Sequence, residues 1–283
     1  MVTSYANEAR IRDEAREQIR AVPTVESRDE RRQRQIRFSD LKVIGQSPAH
    51  YHHRMTTESP KKRAMSVGTV AHAMLLGGER VEVYEGKRDA RVKAWQEFEA
   101  AHADAVIVSP SEYAAAHGCA EAVRNHREAM ALLEGEHEVE LPEWDFAGRA
   151  CGGRPDVVHP QRIVELKTTA CADPFRFPRH ATKMAYHAQL AWYLDGHASN
   201  GGQATDAWIV AVEQAPPHVV TVFQLRDRVL EFGRRLYVGW VETLRNCEDS
   251  GVWPGYSACA VPLDAPDDDV EYTFADEPAD AAQ

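Results

Sequence analysis

The segments Gly153-Arg154-Pro155-Asp156-Val157-Val158 and Ile163-Val164-Glu165-Leu166-Lys167-Thr168-Thr169, joined through His159-Pro160-Gln161, decide the reading of this chain. Both are short and β-like, with glycine and proline punctuation around them, so they read as two strands and a turn. Successive strand side chains alternate faces. Ile163, Glu165 and Lys167 therefore point one way, and Val164 and Leu166 the other. The turn can bring Asp156 beside the Glu–Lys pair. Two carboxylates that converge repel each other unless a cation stands between them, and a hard divalent ion with oxygen ligands meets that need. Lys167 is then placed to orient or deprotonate an attacking water, or to stabilise charge that builds up on a phosphate. An Asp…Glu-x-Lys pattern alone is common in surface hairpins as a plain salt bridge. Here the strand around it is otherwise apolar, which predicts a central position, and a Glu–Lys pair buried there needs a reason.

Further β-like runs lie on either side of this core, at Glu138–Trp144, Ala150–Val158, Ala207–Val212 and Val219–Leu225. Ser39 is a candidate cap for a short helix to Ile44. Ser47-Pro48 reads as N-cap and first helical residue of a second helix, to about Met55. Gly68-Thr69 precedes an apolar helix over Val70–Leu76, and residues 88–102 and 110–134 look helical. One long helix from Arg179 to Asp195 would place Lys183, Tyr186, Gln189 and Tyr193 on one face, and a last helix covers Arg228–Asn246. Helices before and after a compact group of strands predict a mixed α/β core with a helical N-terminal elaboration. No phosphate-binding glycine loop, helicase motif or repeat is present.

Pro155-Asp156 with Glu165-Leu166-Lys167 resembles the signature of the PD-(D/E)xK nuclease superfamily. Gln189-Leu190-Ala191-Trp192-Tyr193 resembles the Gln-xxx-Tyr element of its branch of phage exonucleases and RecB-type nucleases. Four further pieces occur in order: Phe38-Ser39-Asp40-Leu41-Lys42 with Ser47-Pro48, Gly68-Thr69-Val70-Ala71-His72, Tyr186-His187-x-Gln189, and Trp253-Pro254-Gly255-Tyr256. Together, over roughly residues 38–256, they resemble the RecE-like (exonuclease VIII type) family. That resemblance implies a restriction-endonuclease-like core, a mixed central sheet flanked by helices. Asp156 and Glu165 would ligate metal and Lys167 would be the catalytic lysine. His72 would lie beside the metal, and Gln189 and Tyr193 would position the metal shell or the substrate strand. A further acid is expected on the first core strand: Glu138, with Glu140 as its competitor two residues on.

The activity so implied is a Mg²⁺-dependent exodeoxyribonuclease, with Mn²⁺ as a substitute. It would hydrolyse one strand from double-stranded DNA ends, 5′ to 3′, for phage or prophage recombination. The implied partners are a single-strand annealing protein and further copies of the chain in a ring, with a cytoplasmic location. The rivals are an endonuclease of the same fold, in restriction or repair, and a catalytically silent module that binds DNA ends or protein. Relatives with an iron–sulfur cluster use one early and three late cysteines. Here only Cys247 and Cys259 are late, so no cluster is expected. His50, His52 and His53 read as solvated or phosphate-contacting, and Trp192, Trp208 and Trp240 as core.

Composition is compatible with this. Hydrophobic residues make up 43% and charged residues 27% of 283, which is ordinary for a globular chain. No apolar run approaches the roughly 20 residues of a membrane span, and the charged N-terminus does not read as a signal peptide. The five cysteines form no CxxC pair, which disfavours a zinc finger or a disulfide scaffold and predicts a reducing compartment. The net charge of −11 looks wrong for a DNA-binding protein. Eight of the acids, however, lie in residues 264–283 without a base, and setting them aside leaves −3. The expected organisation is a charged N-terminal arm over 1–36, a nuclease domain over 37–263 and an acidic tail over 264–283.

Overall fold

The structure, a computed structural model, describes residues 35–57 and 67–263. Most of the expected N-terminal arm and all of the acidic tail lie outside the described residues. The strands are β1 (Ile36–Arg37), β2 (Arg80–Val83), β3 (Ala105–Val108), β4 (Glu136–His137), β5 (Trp144–Phe146), β6 (Arg149–Gly152), β7 (Val157–His159), β8 (Arg162–Thr169), β9 (Asp206–Glu213) and β10 (Val220–Leu225). The helices are α1 (Phe38–Gln46), α2 (Pro48–Thr56), α3 (Val67–Leu76), α4 (Lys93–Ala101), α5 (Pro110–Arg124), α6 (Arg127–Leu132), α7 (Phe177–Lys183), α8 (Tyr186–Ser199) and α9 (Asp227–Ser250).

The decisive strand is the middle of the main sheet, whose order is β10-β9-β8-β7-β4. β8 runs parallel to β9 and antiparallel to β7, and the turn between β7 and β8 is Pro160-Gln161. Its two faces enter two cores. Val164 and Leu166 pack with Val157, Val210 and Val212 against Val70 of α3 and Val123 of α5. Ile163 packs with Ile209 against Leu190 and Trp192 of α8 and Leu244 of α9. Full burial of each such aliphatic side chain contributes about 1.5–3 kcal/mol. Covered on both sides, the sheet has no solvent face at its centre, so the polar side chains there must find partners within the protein.

Local chemistry fixes the helix ends. Ser47 caps α2, accepting from the His50 N–H at 3.2 Å, with Pro48 at the first helical position. Ser109 and Glu112 form a reciprocal capping box at the start of α5. Buried Leu230, Gly233, Tyr237, Val241 and Leu244 recur every three or four residues along α9. A Cβ at Gly233 would stand 2.5 Å from the His187 carbonyl oxygen, so only glycine lets α9 approach α8 this closely.

Several expectations need correction. The expected strand Glu138–Trp144 is not a strand: residues 138–143 form the connection between β4, which ends at His137, and β5, which starts at Trp144. Glu138 lies just past β4 with φ of 54°, a left-handed conformation that ends the pairing. The expected run Ala150–Val158 divides into β6 and β7. The long helix 179–195 is two helices, α7 and α8, because Ala185 between them has φ of 58°. Lys183 ends α7 and does not share the face of Tyr186 and Gln189. Residues 110–134 likewise form α5 and α6, and helix is absent from residues 88–92. Gly68 and Thr69 belong to α3 and do not merely precede it. The parallel pair β2–β3 has no counterpart among the expected strands.

Candidate active site

Asp156 directly precedes β7, and the pairing of Val157 with Val164 brings it beside Glu165. Two backbone bonds fix this corner. The Asp156 N–H donates to Glu165 Oε1 at 3.2 Å, and the Leu166 N–H donates to Asp156 Oδ2 at 2.8 Å. Lys167 Nζ donates to Glu165 Oε2 at 2.6 Å and lies 5.0 Å from the centre of the Tyr186 ring. Glu165 is 1% exposed. Burial, and then the neighbouring Asp156, push its carboxyl up to about 7 against the pull of Lys167. Burial works against the charge of Lys167 too, but Glu165 and Asp156 outweigh it and raise the lysine above its ordinary value. At neutral pH the Lys167 amine therefore carries its proton. Of the two roles the sequence leaves open, this favours stabilising charge over acting as a base.

His72 of α3 reaches the same corner. Its Nε2 lies 2.8 Å from the Leu166 carbonyl oxygen and 3.4 Å from Asp156 Oδ2, and its Nδ1 lies 3.7 Å from Glu138 Oε1. Arg154 Nε pairs with Glu138 Oε2 at 3.0 Å. Burial opposes a charge on His72, but the Glu138 hydrogen bond, Asp156 and the Leu166 carbonyl together raise its pKa. Glu138 is held below the usual carboxylate range by His72, with Arg154 adding to the effect. His72, Glu138 and Asp156 each offer one ligand atom within 4.8 Å of the others. Two carboxylates and an imidazole are donors that suit a divalent ion such as Mg²⁺ or Mn²⁺, whose other positions take water and phosphate oxygens.

The raised pKa of His72 has a definite sign in the metal-free protein. Its stabilising contribution is fully present below about 6.5, the unfolded value, and is lost as pH rises through the folded value. In chelator, the stability difference between wild type and His72→Gln is expected to be largest at pH 5.5 and to shrink towards pH 8.5. Urea denaturation at several pH values measures this, and a difference that grows with pH would contradict the assigned contacts.

The structure brings most of the expected site residues together. Asp156, Glu138 and His72 converge. Glu165 stands behind them, its oxygens engaged by Lys167 and the Asp156 N–H, and does not join the three convergent ligand atoms. Glu140 turns away and pairs with Arg37 at the surface. Gln189 and Tyr193 lie one turn apart on α8, with Gln189 Nε2 donating to the Tyr193 hydroxyl at 3.1 Å. Burial raises the Tyr193 pKa, so the phenol is neutral. A Cβ at Gly153 would lie 2.8 Å from the Tyr193 ring, which explains a glycine just before Arg154. Gln189 and Tyr193 line a cavity of about 430 Å³ together with Arg37, Lys42, Arg54 and Arg154.

His50 and His52 take no part: the first lies tilted against Tyr256 and the second is stacked on Trp253. Trp192 is fully buried, while Trp208 and Trp240 are partly buried against the two cores. All five cysteines are free thiols. Among the described residues, no helix is long and apolar enough to cross a membrane.

Sequence reasoning gave no role to Arg154, Tyr186, Lys42 or the two backbone groups of Leu166. Arg154 and Lys42 stand inside quoted motifs, but a lone cation in a sequence looks the same on a surface and in a cavity. Backbone groups leave no mark in the sequence.

Residues 37–262 match the family model described as a PDDEXK-like domain of unknown function (DUF3799). The chain belongs to this family. The expected PD-(D/E)xK core, a mixed sheet flanked by helices, is therefore correct. No curated protein sequence matches the chain. Among solved structures, a candidate exonuclease from Eubacterium rectale superposes on this PDDEXK-like domain with a TM-score of 0.59 at 12% identity, over 88% of this chain and 96% of that one. At that identity the likeness shows the fold. An alkaline exonuclease from Laribacter hongkongensis matches at 15% identity over 66% of this chain and 92% of its own, but its TM-score of 0.27 is too low to argue from.

Proposed function

We propose that this PDDEXK-like domain is a metal-dependent exodeoxyribonuclease that hydrolyses one strand of duplex DNA from its end. The observation that carries this is the buried Lys167–Glu165 pair set against the convergent Asp156, Glu138 and His72, at the edge of a cationic cavity. His72, Glu138 and Asp156 would hold a divalent cation, which would supply charge neutralisation for a phosphate and acidify a water. Lys167, kept protonated by Glu165, donates to a phosphate oxygen as negative charge grows there. Glu165 holds that ammonium in place. Gln189 and the neutral Tyr193 hydroxyl offer further hydrogen bonds to the strand in the cavity.

The cavity's charge supports an anionic substrate. Arg37 pairs with Glu140, Arg54 with Asp40 and Arg154 with Glu138, so three of its four cations are already neutralised. Lys42 has no acid partner among the described residues, and burial together with nearby Lys167 lowers its pKa. A strand phosphate between Lys42 and Lys167 would relieve both. Following the RecE-like resemblance, digestion runs 5′ to 3′ and the surviving strand passes to a single-strand annealing protein in recombination, with the nuclease working as a ring of identical copies.

One assay tests this reading. Linear duplex labelled on each strand end in turn, and closed circular duplex, are incubated with Mg²⁺, with Mn²⁺ and with chelator. The expected result is stepwise release from linear ends, an intact circle and no release in chelator. Cutting of the circle would establish an endonuclease instead. Failure to turn over any DNA would point to a silent binding module.

A further inference from the structure

The loop that leads from β8 into α7 carries an aromatic ring that the proposed cleavage does not use. In Pro174-Phe175-Arg176-Phe177 the two phenylalanines have opposite fates. Phe177 is buried and stacks on Phe223 at 4.7 Å, which anchors α7 to the sheet. Phe175 is 88% exposed. Its backbone is nonetheless held. The Phe175 and Arg176 N–H groups donate to Asp173 Oδ1 at 2.8 and 3.0 Å, and the Phe177 N–H donates to the Asp173 carbonyl oxygen at 2.9 Å. The Ala172 N–H donates to Glu213 Oε1 of β9, also at 2.9 Å. The ring is thus offered to solvent from a pinned backbone.

A single exposed apolar side chain is ordinary on a protein surface. The setting of this one is not. From Pro174 to Met184 the chain holds Arg176, Arg179, His180 and Lys183 and no acid. All four are exposed, and offsets of 3, 4 and 7 from Arg176 put them on one side of α7. Arg179 and Lys183 have no acid partner among the described residues. That side borders the cleft. The His180 ring meets the Tyr186 ring edge-on at 6.0 Å, and Tyr186 in turn lies 5.0 Å from Lys167 Nζ. Burial, and then Lys183 and Lys42, lower the His180 pKa, so the imidazole is neutral and stands near the Lys42 of the cavity.

An aromatic ring among cations is the combination that holds single-stranded nucleic acid: the cations follow the phosphates, and the ring stacks on a base whose face is uncovered. Inside a duplex both faces of a base are covered by its neighbours, so the match is to an unpaired strand. We propose that Phe175 and the cationic face of α7 bind single-stranded DNA at the rim of the cleft, with Phe175 stacked on an unpaired base and Arg179 and Lys183 on the flanking phosphates. The choice of DNA as the polyanion rests on the nuclease reading. Such a surface holds the unpaired part of a DNA end beside Lys167.

Fluorescence anisotropy of the full chain in chelator, where no strand is cut, tests this. The probes are a labelled ten-nucleotide oligothymidylate and a labelled oligomer of ten abasic sugar-phosphates, equal in charge and without bases. Phe175→Ala is expected to weaken binding of the oligothymidylate about tenfold, as loss of one base-stacking ring does, and to leave the abasic oligomer unchanged. Phe175→Trp should keep the preference for the oligothymidylate. The double variant Arg179→Ala, Lys183→Ala should weaken both probes and reduce the slope of log affinity against log salt by about 1.4, the share of two phosphates of a single strand. These positions are exposed, so the variants keep the fold, and thermal unfolding checks it.

No binding of either probe, equal loss of both probes in Phe175→Ala, or indifference to either variant would overturn the inference; in the last case the face serves a partner other than DNA. The outcome is independent of the cleavage assay. Cleavage without the Phe175 effect removes only this inference, and the Phe175 effect without cleavage removes only the nuclease.

Discussion

Asp156→Ala is expected to reduce metal-dependent cleavage on the order of 10³-fold or more, the scale on which loss of a preorganised electrostatic group acts. Asp156 is one of three convergent donors, with His72 and Glu138, and it adjoins the Glu165–Lys167 pair. Removing it leaves any cation with one acid and one imidazole in the cluster. Its effect on stability is mixed. Loss of a like charge relieves Glu165, which alone predicts an unharmed ion-free fold. The Leu166 N–H, however, loses its acceptor at 2.8 Å, in a buried setting where an unsatisfied group costs about 1–3 kcal/mol. A modest fall in melting temperature should therefore accompany the loss of turnover. Initial rates on end-labelled duplex, with thermal unfolding in chelator, measure both. Turnover near the wild-type rate would exclude the site as described.

Lys167→Met should be nearly as damaging, with a fall of about 10²–10³-fold in turnover, because it removes the one ammonium held against Glu165 while keeping most of the side-chain volume. Its stability signature differs from that of Asp156→Ala. Without the lysine, only the Asp156 N–H still offsets burial and the Asp156 charge at Glu165, so the glutamate takes up a proton at still higher pH than about 7. A group whose folded pKa exceeds its unfolded value stabilises the fold below the unfolded value, and that contribution is lost as pH rises through the folded one. In chelator, the variant should match wild type best at acidic pH and fall behind it as pH rises past neutrality. Turnover that survives the substitution would remove Lys167 from the chemistry. An unchanged pH profile of stability would contradict its bond to Glu165.

The sheet core was legible because two independent patterns agree over residues 153–169. Alternation placed Glu165 and Lys167 on one face, and the Pro160-Gln161 turn placed Asp156 beside them. The helical cap at Ser47 follows an equally local rule, whereas the expected cap Ser39 lies inside α1, which starts at Phe38 without a side-chain cap. What escaped the sequence depends on conformation that residue type does not specify. Ala185 and Glu138 adopt left-handed backbone that non-glycine residues seldom take, and tertiary packing sets it. The first of these broke a helix read as continuous, and the second took the candidate metal-site acid off its expected strand. The β2–β3 pair has strands of only four residues each, too short for a periodic signal. Glu138 and Glu140, indistinguishable as sequence, are separated by their partners: His72 and Arg154 for one, Arg37 for the other.

The central strand β8 has a consequence for how this protein tolerates change. Consecutive positions serve different masters, so a library of all single substitutions, read for cellular abundance and for turnover, should resolve the strand residue by residue. At Val164 and Leu166, polar replacements should empty the abundance channel. At Lys167, replacements should silence turnover with a smaller loss of abundance, the part that its bond to Glu165 contributes. Glu165, fully buried and held by two donors, should register in both. A drift that reaches Lys167 could thus yield an inert protein that still folds, whereas a drift that reaches its neighbour Leu166 would remove the protein altogether.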